Sequence, residues 1–259
     1  MVPSTSGYAE VNGISMYYET YGIGDPLVLI HGGGSTIQTS FANVTPLFAQ
    51  HRKVIAMELE AHGRTSHRGQ PFSFEQDAKD VAALLNDLGI ASADILGFSN
   101  GATTALKLAI QHPEKVRKLI LCSPLAKRSG MPSGFWDFMK NASLDNMPQQ
   151  LQEAFLSVNP DEAGLTFMHG GDATRMLNFE DIPDEAIRSV QAPTLIINGD
   201  KDVITSEHVL ELFKMLAHAE LAIIPGVHGT YLGEITTVIA DSKPWTYVVP
   251  MILDFLNRK

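Results

Sequence analysis

Short runs of apolar residues alternate along the chain with segments in which apolar residues recur every three or four positions. Apolar runs bounded by turn residues predict buried strands, and the periodic segments predict helices that cover both faces of a parallel sheet. Six runs have this strand character: 26–30, 54–59, 93–98, 116–123, 194–199 and 219–226. The pattern therefore predicts an α/β fold with a mostly parallel sheet flanked by helices.

The first two dozen residues have a different pattern, with β-rich segments on either side of Asn12-Gly13. This dipeptide favours a tight turn between antiparallel strands. We therefore expect a hairpin at one edge of the sheet.

Four segments have helical character. The first follows Ser73, which with Gln76 predicts a capping box, and continues to about Leu88. The others span 103–111, 206–216 and 250–257, and Pro250 is expected near the first turn of the last helix.

A long region without strand-like runs lies at 125–190. It is dense in Gly, Pro and polar residues, yet it carries large apolar side chains such as Trp136, Phe155 and Met176. A loop this long and this apolar must pack against the rest of the protein. We expect a helical cap, inserted after the sixth strand, that encloses an apolar cavity above a core domain made of 1–124 and 191–259.

Composition narrows the range of partners. The 259 residues carry a formal charge of -10, with 19 basic and 29 acidic side chains. Nucleic acids and anionic membranes attract basic surfaces, so we expect neither as a partner and favour a small neutral substrate. The single cysteine, Cys122, excludes an intramolecular disulfide. With no apolar leader or membrane-length run, these features predict a cytoplasmic protein.

The stretch GFSNG, residues 97–101, joins a predicted strand to a predicted helix. A serine becomes nucleophilic when it is exposed beside a base and close to donors that stabilise an oxyanion. A sharp turn would expose Ser99, while Gly97 and Gly101 would let the strand and helix pass closely. Asn100 would supply its backbone N–H to the oxyanion. We therefore predict a nucleophilic Ser99 rather than a serine that only caps a helix.

With this turn, the chain resembles the α/β-hydrolase fold family over essentially its whole length. The resemblance implies a catalytic triad in the order serine, acid, histidine. Asp202 follows the strand run 194–199, and His228 follows 219–226. The resemblance makes Asp202 the acid and His228 the base, with Asp200 as the rival acid.

The glycines of HGGG, residues 31–34, allow the backbone to approach a substrate oxygen. By resemblance, Gly33 supplies the second oxyanion N–H, with Gly34 as the near alternative. A phosphate-binding loop is excluded, because no Lys-Ser/Thr pair follows these glycines. His31 is expected to be a packed loop histidine.

The loop after the 54–59 run departs from the usual family pattern at Glu58 and Ala61. His62, Arg64 and His67 in this loop are expected to be solvated. The histidines lack metal-ligand spacing, and H-E-x-x-H is absent, so we expect no metal and no cofactor.

Together these features predict a cofactor-independent serine hydrolase that cleaves a small, apolar or moderately polar carboxylic ester or lactone through an acyl-enzyme. Fold and triad do not choose among chemistries, so two alternatives stay open: a carbon–carbon bond hydrolase and a small-molecule receptor with slow turnover. Residues 229–245 form a longer segment than a turn needs. They would reach either the site entrance or a partner subunit in a homodimer.

Overall fold

The computed structural model describes residues 1–258 and contains an eight-stranded sheet with the order β1-β2-β4-β3-β5-β6-β7-β8. The strands are β1 Thr5–Val11, β2 Ile14–Tyr21, β3 Pro26–Ile30, β4 Lys53–Met57, β5 Ala93–Phe98, β6 Val116–Cys122, β7 Thr194–Gly199 and β8 Ala219–Ile224. The strands β3 to β8 pair in parallel, while β1 and β2 are antiparallel to their neighbours. The predicted α/β fold with a mostly parallel sheet is confirmed.

Helices cover both faces of the sheet. They are α1 Ile37–Phe41, α2 Thr45–Phe48, α3 Phe74–Asp87, α4 Asn100–Gln111, α5 Phe135–Lys140, α6 Gln149–Val158, α7 Glu162–Leu177, α8 Asp184–Arg188, α9 Ser206–Met215 and α10 Trp245–Asn257. Strand side chains alternate between two apolar clusters: Val28 and Ile30 pack on one face, and Leu27 and Leu29 on the other. Both faces of the central strands are therefore buried. No helix within residues 1–258 has the length and apolar character needed to cross a membrane.

The N-terminal hairpin forms as the sequence predicts, with β1 at the edge of the sheet. Asn12 and Gly13 have φ angles of 46° and 86°, the left-handed conformation that this type of two-residue turn requires. The side chain of Asn12 donates to Asp80 of α3 at 2.9 Å. This bond ties the hairpin turn to the first long helix.

Two details of the helix predictions are wrong. Ser73 accepts the Gln76 N–H, but the Gln76 side chain donates to Asp80, so the capping box does not close. The last helix begins at Trp245, which places Pro250 inside it. Pro250 lies on an exposed face, where water can satisfy the carbonyl that lacks a helical partner.

Between β6 and β7 the chain forms α5 to α8 and, within the described residues, no strand. We name residues 125–190 the helical insertion. It shares a small apolar cluster with the loop between β4 and α3; the members are Ala61, Phe72, Met147, Leu151, Phe155, Leu165 and Met168. The division into a core domain of 1–124 and 191–259 and a cap of 125–190 stays a prediction.

A buried histidine holds the start of the helical insertion. His208 of α9 is 2% exposed, and its Nε2 accepts the Ala126 N–H at 3.0 Å. An accepting Nε2 requires the neutral imidazole at this position. Burial lowers the pKa of His208 to about 4.

We expect His208→Gln to flatten the acid dependence of stability. Because the folded pKa lies below the unfolded one, protons bind the unfolded chain preferentially as the pH falls through this window. At about 1.4 kcal/mol per pKa unit, this group alone removes roughly 2–3 kcal/mol of wild-type stability between about pH 7 and about pH 4.5. Urea unfolding at both pH values would measure it, with the exposed His218→Gln as control. Equal losses in wild type and His208→Gln would contradict the expectation.

Candidate active site

Ser99 lies in a strained turn between β5 and α4. Its φ and ψ angles are 55° and -122°, a conformation that non-glycine residues rarely adopt. A Cβ at Gly97 would lie 2.1 Å from the Gly101 carbonyl oxygen, and one at Gly101 would lie 2.1 Å from that of Ile30. Only glycine fits at either position. The strand and helix therefore approach closely enough to hold Ser99 at the tip of the turn.

The side chains of Ser99, His228 and Asp202 form a continuous chain of contacts. His228 Nε2 is 2.9 Å from Ser99 Oγ, and His228 Nδ1 is 2.6 Å from Asp202 Oδ1. If Nδ1 carries the proton that it donates to the carboxylate, Nε2 is free to accept the serine hydroxyl proton. The structure thus brings together the three residues that the sequence selected from three different strand ends.

Asp202 is buried and well supplied with hydrogen-bond donors. Oδ2 accepts Ser123 Oγ at 2.6 Å, and Oδ1 accepts the Ile204 N–H at 3.0 Å in addition to His228. Burial raises the pKa of Asp202, but the charge and hydrogen bond of His228 and the bond from Ser123 outweigh it and lower that pKa. The carboxylate is therefore kept ionised beside the imidazole.

The rival acid occupies a different environment. Asp200 is exposed, and its Oδ1 accepts the Gly226 N–H at 2.8 Å. This bond links the turns that follow β7 and β8. Of the two aspartates, Asp202 is the one that contacts His228.

Two supporting residues escaped the sequence analysis. Ser123, which follows β6 with a φ of 53°, donates to Asp202, and its Oγ is 2.6 Å from the Tyr231 hydroxyl. Because the single Ser123 proton serves Asp202, Tyr231 donates to Ser123. A polar residue directly after a buried strand, at the edge where the other candidates lie, was the available signal for Ser123. Tyr231 belongs to the 229–245 segment whose role the sequence left open.

The predicted oxyanion donors are neighbours. A Cβ built on Gly33 would lie 2.5 Å from the Asn100 side-chain nitrogen. Within residues 1–258, neither the Gly33 nor the Asn100 backbone N–H has a hydrogen-bond acceptor. The alternative donor, Gly34, already gives its N–H to Asp172 Oδ2 at 2.6 Å. Gly33 and Asn100 therefore carry the free amides next to Ser99.

A cavity of about 210 Å³ adjoins these amides. Its lining includes Gly33, Asn100, apolar side chains of the helical insertion (Met139, Met147, Leu151, Met176) and the polar His169 and Asp172. No lysine or arginine in the described part of the chain lines it. The volume is below the roughly 300–1,000 Å³ typical of sites for drug-sized ligands. A small ligand with an apolar portion fits it best.

The loop after β4 is more buried than the sequence predicts. His62 is fully buried and its Nε2 is 3.0 Å from Asp172 Oδ2, so its expected solvation is wrong. Arg64 is half-buried, and its Nη1 donates to the buried Glu58 at 2.7 Å. Of the three residues expected to be solvated, His67 is the one that is exposed, and it stacks on a phenylalanine ring of α7. The separation of His62 from its partner by 110 residues hides this contact from sequence patterns.

His31 is packed, as expected. It is buried, and its Nε2 accepts the Leu59 N–H at 3.0 Å. Within residues 1–258, no group of three or more His, Cys, Asp or Glu side chains is arranged to hold a metal ion.

Residues 25–169 match the family model of the alpha/beta hydrolase fold. The chain belongs to this family. A hydrolase of 2-hydroxymuconate semialdehyde from Pseudomonas sp. strain CF600 is 30% identical over 236 residues, which cover 81% of this chain and 82% of that protein. Together with the family match, which covers more than half of the chain, this shows that the protein is a hydrolase.

Two further similarities place this hydrolase within a broad family. The solved structure of Est816, an N-acyl homoserine lactone degrading enzyme, is 25% identical with a TM-score of 0.74, covering 96% of this chain and 99% of that chain. The dihydrolipoyllysine-residue acetyltransferase component of the acetoin cleaving system of Cupriavidus necator is 34% identical over 129 residues. That match covers 49% of this hydrolase, which spans about a third (34%) of the acetyltransferase component.

We expect Ser123→Ala to slow the reaction of Ser99 with a fluorophosphonate probe. The substitution removes a donor from Asp202, so the carboxylate is less well stabilised and supports the imidazole less. A loss of about 1.4 kcal/mol, near the lower end for a hydrogen bond to a charged group, corresponds to about a tenfold slower reaction. Mass spectrometry would follow labelling, with the exposed Ser189→Ala as matched control. An unchanged rate in folded Ser123→Ala would contradict a supporting role.

Proposed function

We propose that this hydrolase cleaves a small carboxylic ester or lactone through an acyl-enzyme, with Ser99 as nucleophile. The observation that carries the proposal is the continuous contact from Asp202 through His228 to Ser99, at 2.6 and 2.9 Å. The free amides of Gly33 and Asn100 lie beside it. Nucleophile, base, orienting acid and oxyanion donors are the groups that acyl transfer requires.

In the first half of the reaction, Ser99 Oγ attacks the substrate carbonyl carbon and His228 Nε2 takes the hydroxyl proton. Asp202 stabilises the imidazolium that forms. The N–H groups of Gly33 and Asn100 donate to the oxygen on which negative charge develops. When the tetrahedral intermediate collapses, His228 gives its proton to the departing alkoxide.

In the second half, a water molecule attacks the acyl carbon while His228 takes its proton; His228 then returns this proton to Ser99 Oγ as the bond to the acyl group breaks and the acid departs. With a lactone, the departing alcohol stays tethered to the acyl group, so the product is a single hydroxy acid. Both reactions use the same groups, and neither needs a cofactor.

The cavity favours a neutral substrate over an anionic one. The substrate named for the Pseudomonas relative carries a carboxylate, and buried anions need a cationic partner. In the described part of the chain, no lysine or arginine lines the cavity. An N-acyl homoserine lactone, the named substrate of Est816, is neutral. These features support an ester or lactone rather than a carboxylate-bearing substrate of carbon–carbon bond cleavage.

Two expectations concern the setting of this reaction. A cytoplasmic location and a homodimer stay predictions. The cap function of residues 125–190 is part of the proposal, because the helical insertion supplies most of the cavity lining.

We expect a fluorophosphonate probe to label Ser99 in wild type and to leave Ser99→Ala unlabelled. Hydrolysis of short p-nitrophenyl esters should fall at least about a thousandfold in Ser99→Ala and in His228→Ala. Peptide mapping and release of p-nitrophenol would measure both. A folded wild-type protein that neither reacts nor turns over would favour the small-molecule receptor.

A matched pair of variants tests which aspartate orients His228. Asp202→Asn should lower kcat about 10³- to 10⁴-fold, because the amide cannot hold His228 in the required tautomer. Asp200→Asn should change kcat by less than about threefold, since Asp200 contacts a backbone amide instead of the imidazole. A larger loss at position 200 would overturn the assignment.

The cavity should set the preferred acyl length. Ala173 lines it from α7, and a leucine there would occupy part of its volume of about 210 Å³. We expect Ala173→Leu to shift the preference of kcat/KM toward shorter acyl chains by about tenfold, of the order of one or two buried methylenes. Ala163→Leu, at an exposed position of the same helix, is the control. Identical chain-length profiles would place the acyl group elsewhere.

A further inference from the structure

The peptide that contains the Gly33 N–H is held at its other end. His31 Nε2 accepts the Leu59 N–H, so His31 Nδ1 carries the ring proton and donates to the Gly32 carbonyl at 2.7 Å. The N–H and C=O of a planar trans peptide point in opposite directions. The Gly33 N–H therefore points away from the His31 ring.

The following peptide is held at both ends. The Gly33 carbonyl accepts Ser35 Oγ at 3.3 Å, and the Gly34 N–H donates to Asp172 Oδ2 at 2.6 Å. Gly34 has a φ of 65°, a backbone conformation that glycine adopts readily and that residues with a Cβ atom rarely adopt. Gly33 thus lies between two fixed peptides. One of the fixing groups, Asp172, comes from α7 of the helical insertion, 138 residues along the chain.

A carboxylate this close to an oxyanion would oppose catalysis unless its charge were balanced. Arg175 Nη2 donates to Asp172 Oδ1 at 2.5 Å, and His62 Nε2 lies 3.0 Å from Oδ2. The other nitrogen of His62, Nδ1, faces the Glu60 carbonyl at 2.8 Å, which can only accept. Both ring nitrogens therefore donate, and His62 is an imidazolium.

The charges of Asp172 and of the side chains paired with it sum to zero. Burial lowers the pKa of His62, but the charge and hydrogen bond of Asp172 outweigh it and raise that pKa. Burial raises the pKa of Asp172, yet Arg175 and His62 hold it well below its usual range. Arg175 also donates to the buried Asp77 of α3 at 2.5 Å. Two cations and two anions thus leave Asp172 free to accept the Gly34 N–H without adding net negative charge.

We propose that Asp172 is a positioning residue that fixes the peptide between Gly33 and Gly34, so that the Gly33 N–H faces the carbonyl oxygen of the substrate. The proposal rests on the ester or lactone hydrolysis proposed above. Under this proposal, the glycine loop (residues 31–34) and the helical insertion together form the oxyanion site. In this role Asp172 acts through the Gly34 backbone and takes no part in bond making or breaking.

The matched comparison is Asp172→Ala against Asp77→Asn. Both carboxylates are buried and bind the same guanidinium, but only Asp172 contacts the glycine loop. Loss of a buried ion pair alone would affect both variants. With a short p-nitrophenyl ester, we expect Asp172→Ala to lower kcat about 10- to 100-fold with KM changed by less than about threefold, because loss of an oxyanion donor acts mainly on kcat. Asp77→Asn should keep kcat within about threefold.

Asp172→Asn serves if Asp172→Ala does not fold. Its amide has one acceptor oxygen for the three donors that Asp172 now satisfies, so kcat should fall about three- to tenfold. Circular dichroism and thermal unfolding would establish that each variant is folded.

Wild-type activity separates the two proposals. If wild type turns over and folded Asp172→Ala or Asp172→Asn retains its kcat, the positioning role is wrong and the proposed function stands. If both Asp172 and Asp77 variants lose kcat equally, the network is only structural and the positioning role is again wrong. If wild type itself neither turns over nor reacts with a fluorophosphonate, the proposed function fails.

Discussion

The close approach of β5 and α4 is the constraint on which the site depends. Ser99 takes a conformation that costs about 1–3 kcal/mol, and the packing around it must supply that energy. The parallel pairing of β5 with β3 and β6 fixes one side of the turn, and the backbone contacts at Gly97 and Gly101 fix the other. Because the turn is fixed before any ligand arrives, the serine hydroxyl and the first amides of α4 need no rearrangement to meet a substrate.

The parallel sheet brings the remaining groups to the same edge. The strands β5, β6, β7 and β8 are consecutive neighbours, so the residues after them meet although they are far apart in sequence. Two of these strands are followed directly by serines with positive φ, Ser99 and Ser123, which contact opposite ends of the Asp202–His228 pair. One serine approaches the imidazole, and the other stabilises the carboxylate. The same positive-φ conformation therefore occurs at the proposed nucleophile after one strand and at its supporting residue after the next.

The sequence predicted those parts of the molecule that depend on local patterns. The central strands were evident because both faces are buried, which gives uninterrupted apolar runs such as 26–30 and 93–98. The short α1 and α2 were missed because four or five residues do not establish a helical period. The position of Pro250 was wrong because the helix begins at Trp245, before the 250–257 segment that the sequence predicted.

In the candidate site, too, residues with a local sequence pattern could be predicted and residues brought together by long-range contacts could not. Ser99 could be selected because it lies in a turn between a strand and a helix. Asp202 and His228 could be selected because each follows a strand at a position that the resemblance to the α/β-hydrolase fold marks. His62 and Asp172 could not, because neither has a local signal and their contact joins segments 110 residues apart. A histidine in a glycine-containing loop is ordinarily solvated, and only the charged side chains of α7 make burial of His62 favourable. Long-range charge pairing was thus the main information missing from the sequence.

The bond between Asp172 and the Gly34 amide has a consequence for how such proteins diversify. In this protein the insertion after the sixth strand supplies most of the cavity lining, so a change of substrate preference would involve it. Here the insertion also holds part of the backbone beside the proposed nucleophile, through the bond from the Gly34 N–H to Asp172. A transplanted insertion would therefore carry over both the shape of the pocket and the restraint on that backbone, so selectivity and speed would be inherited together.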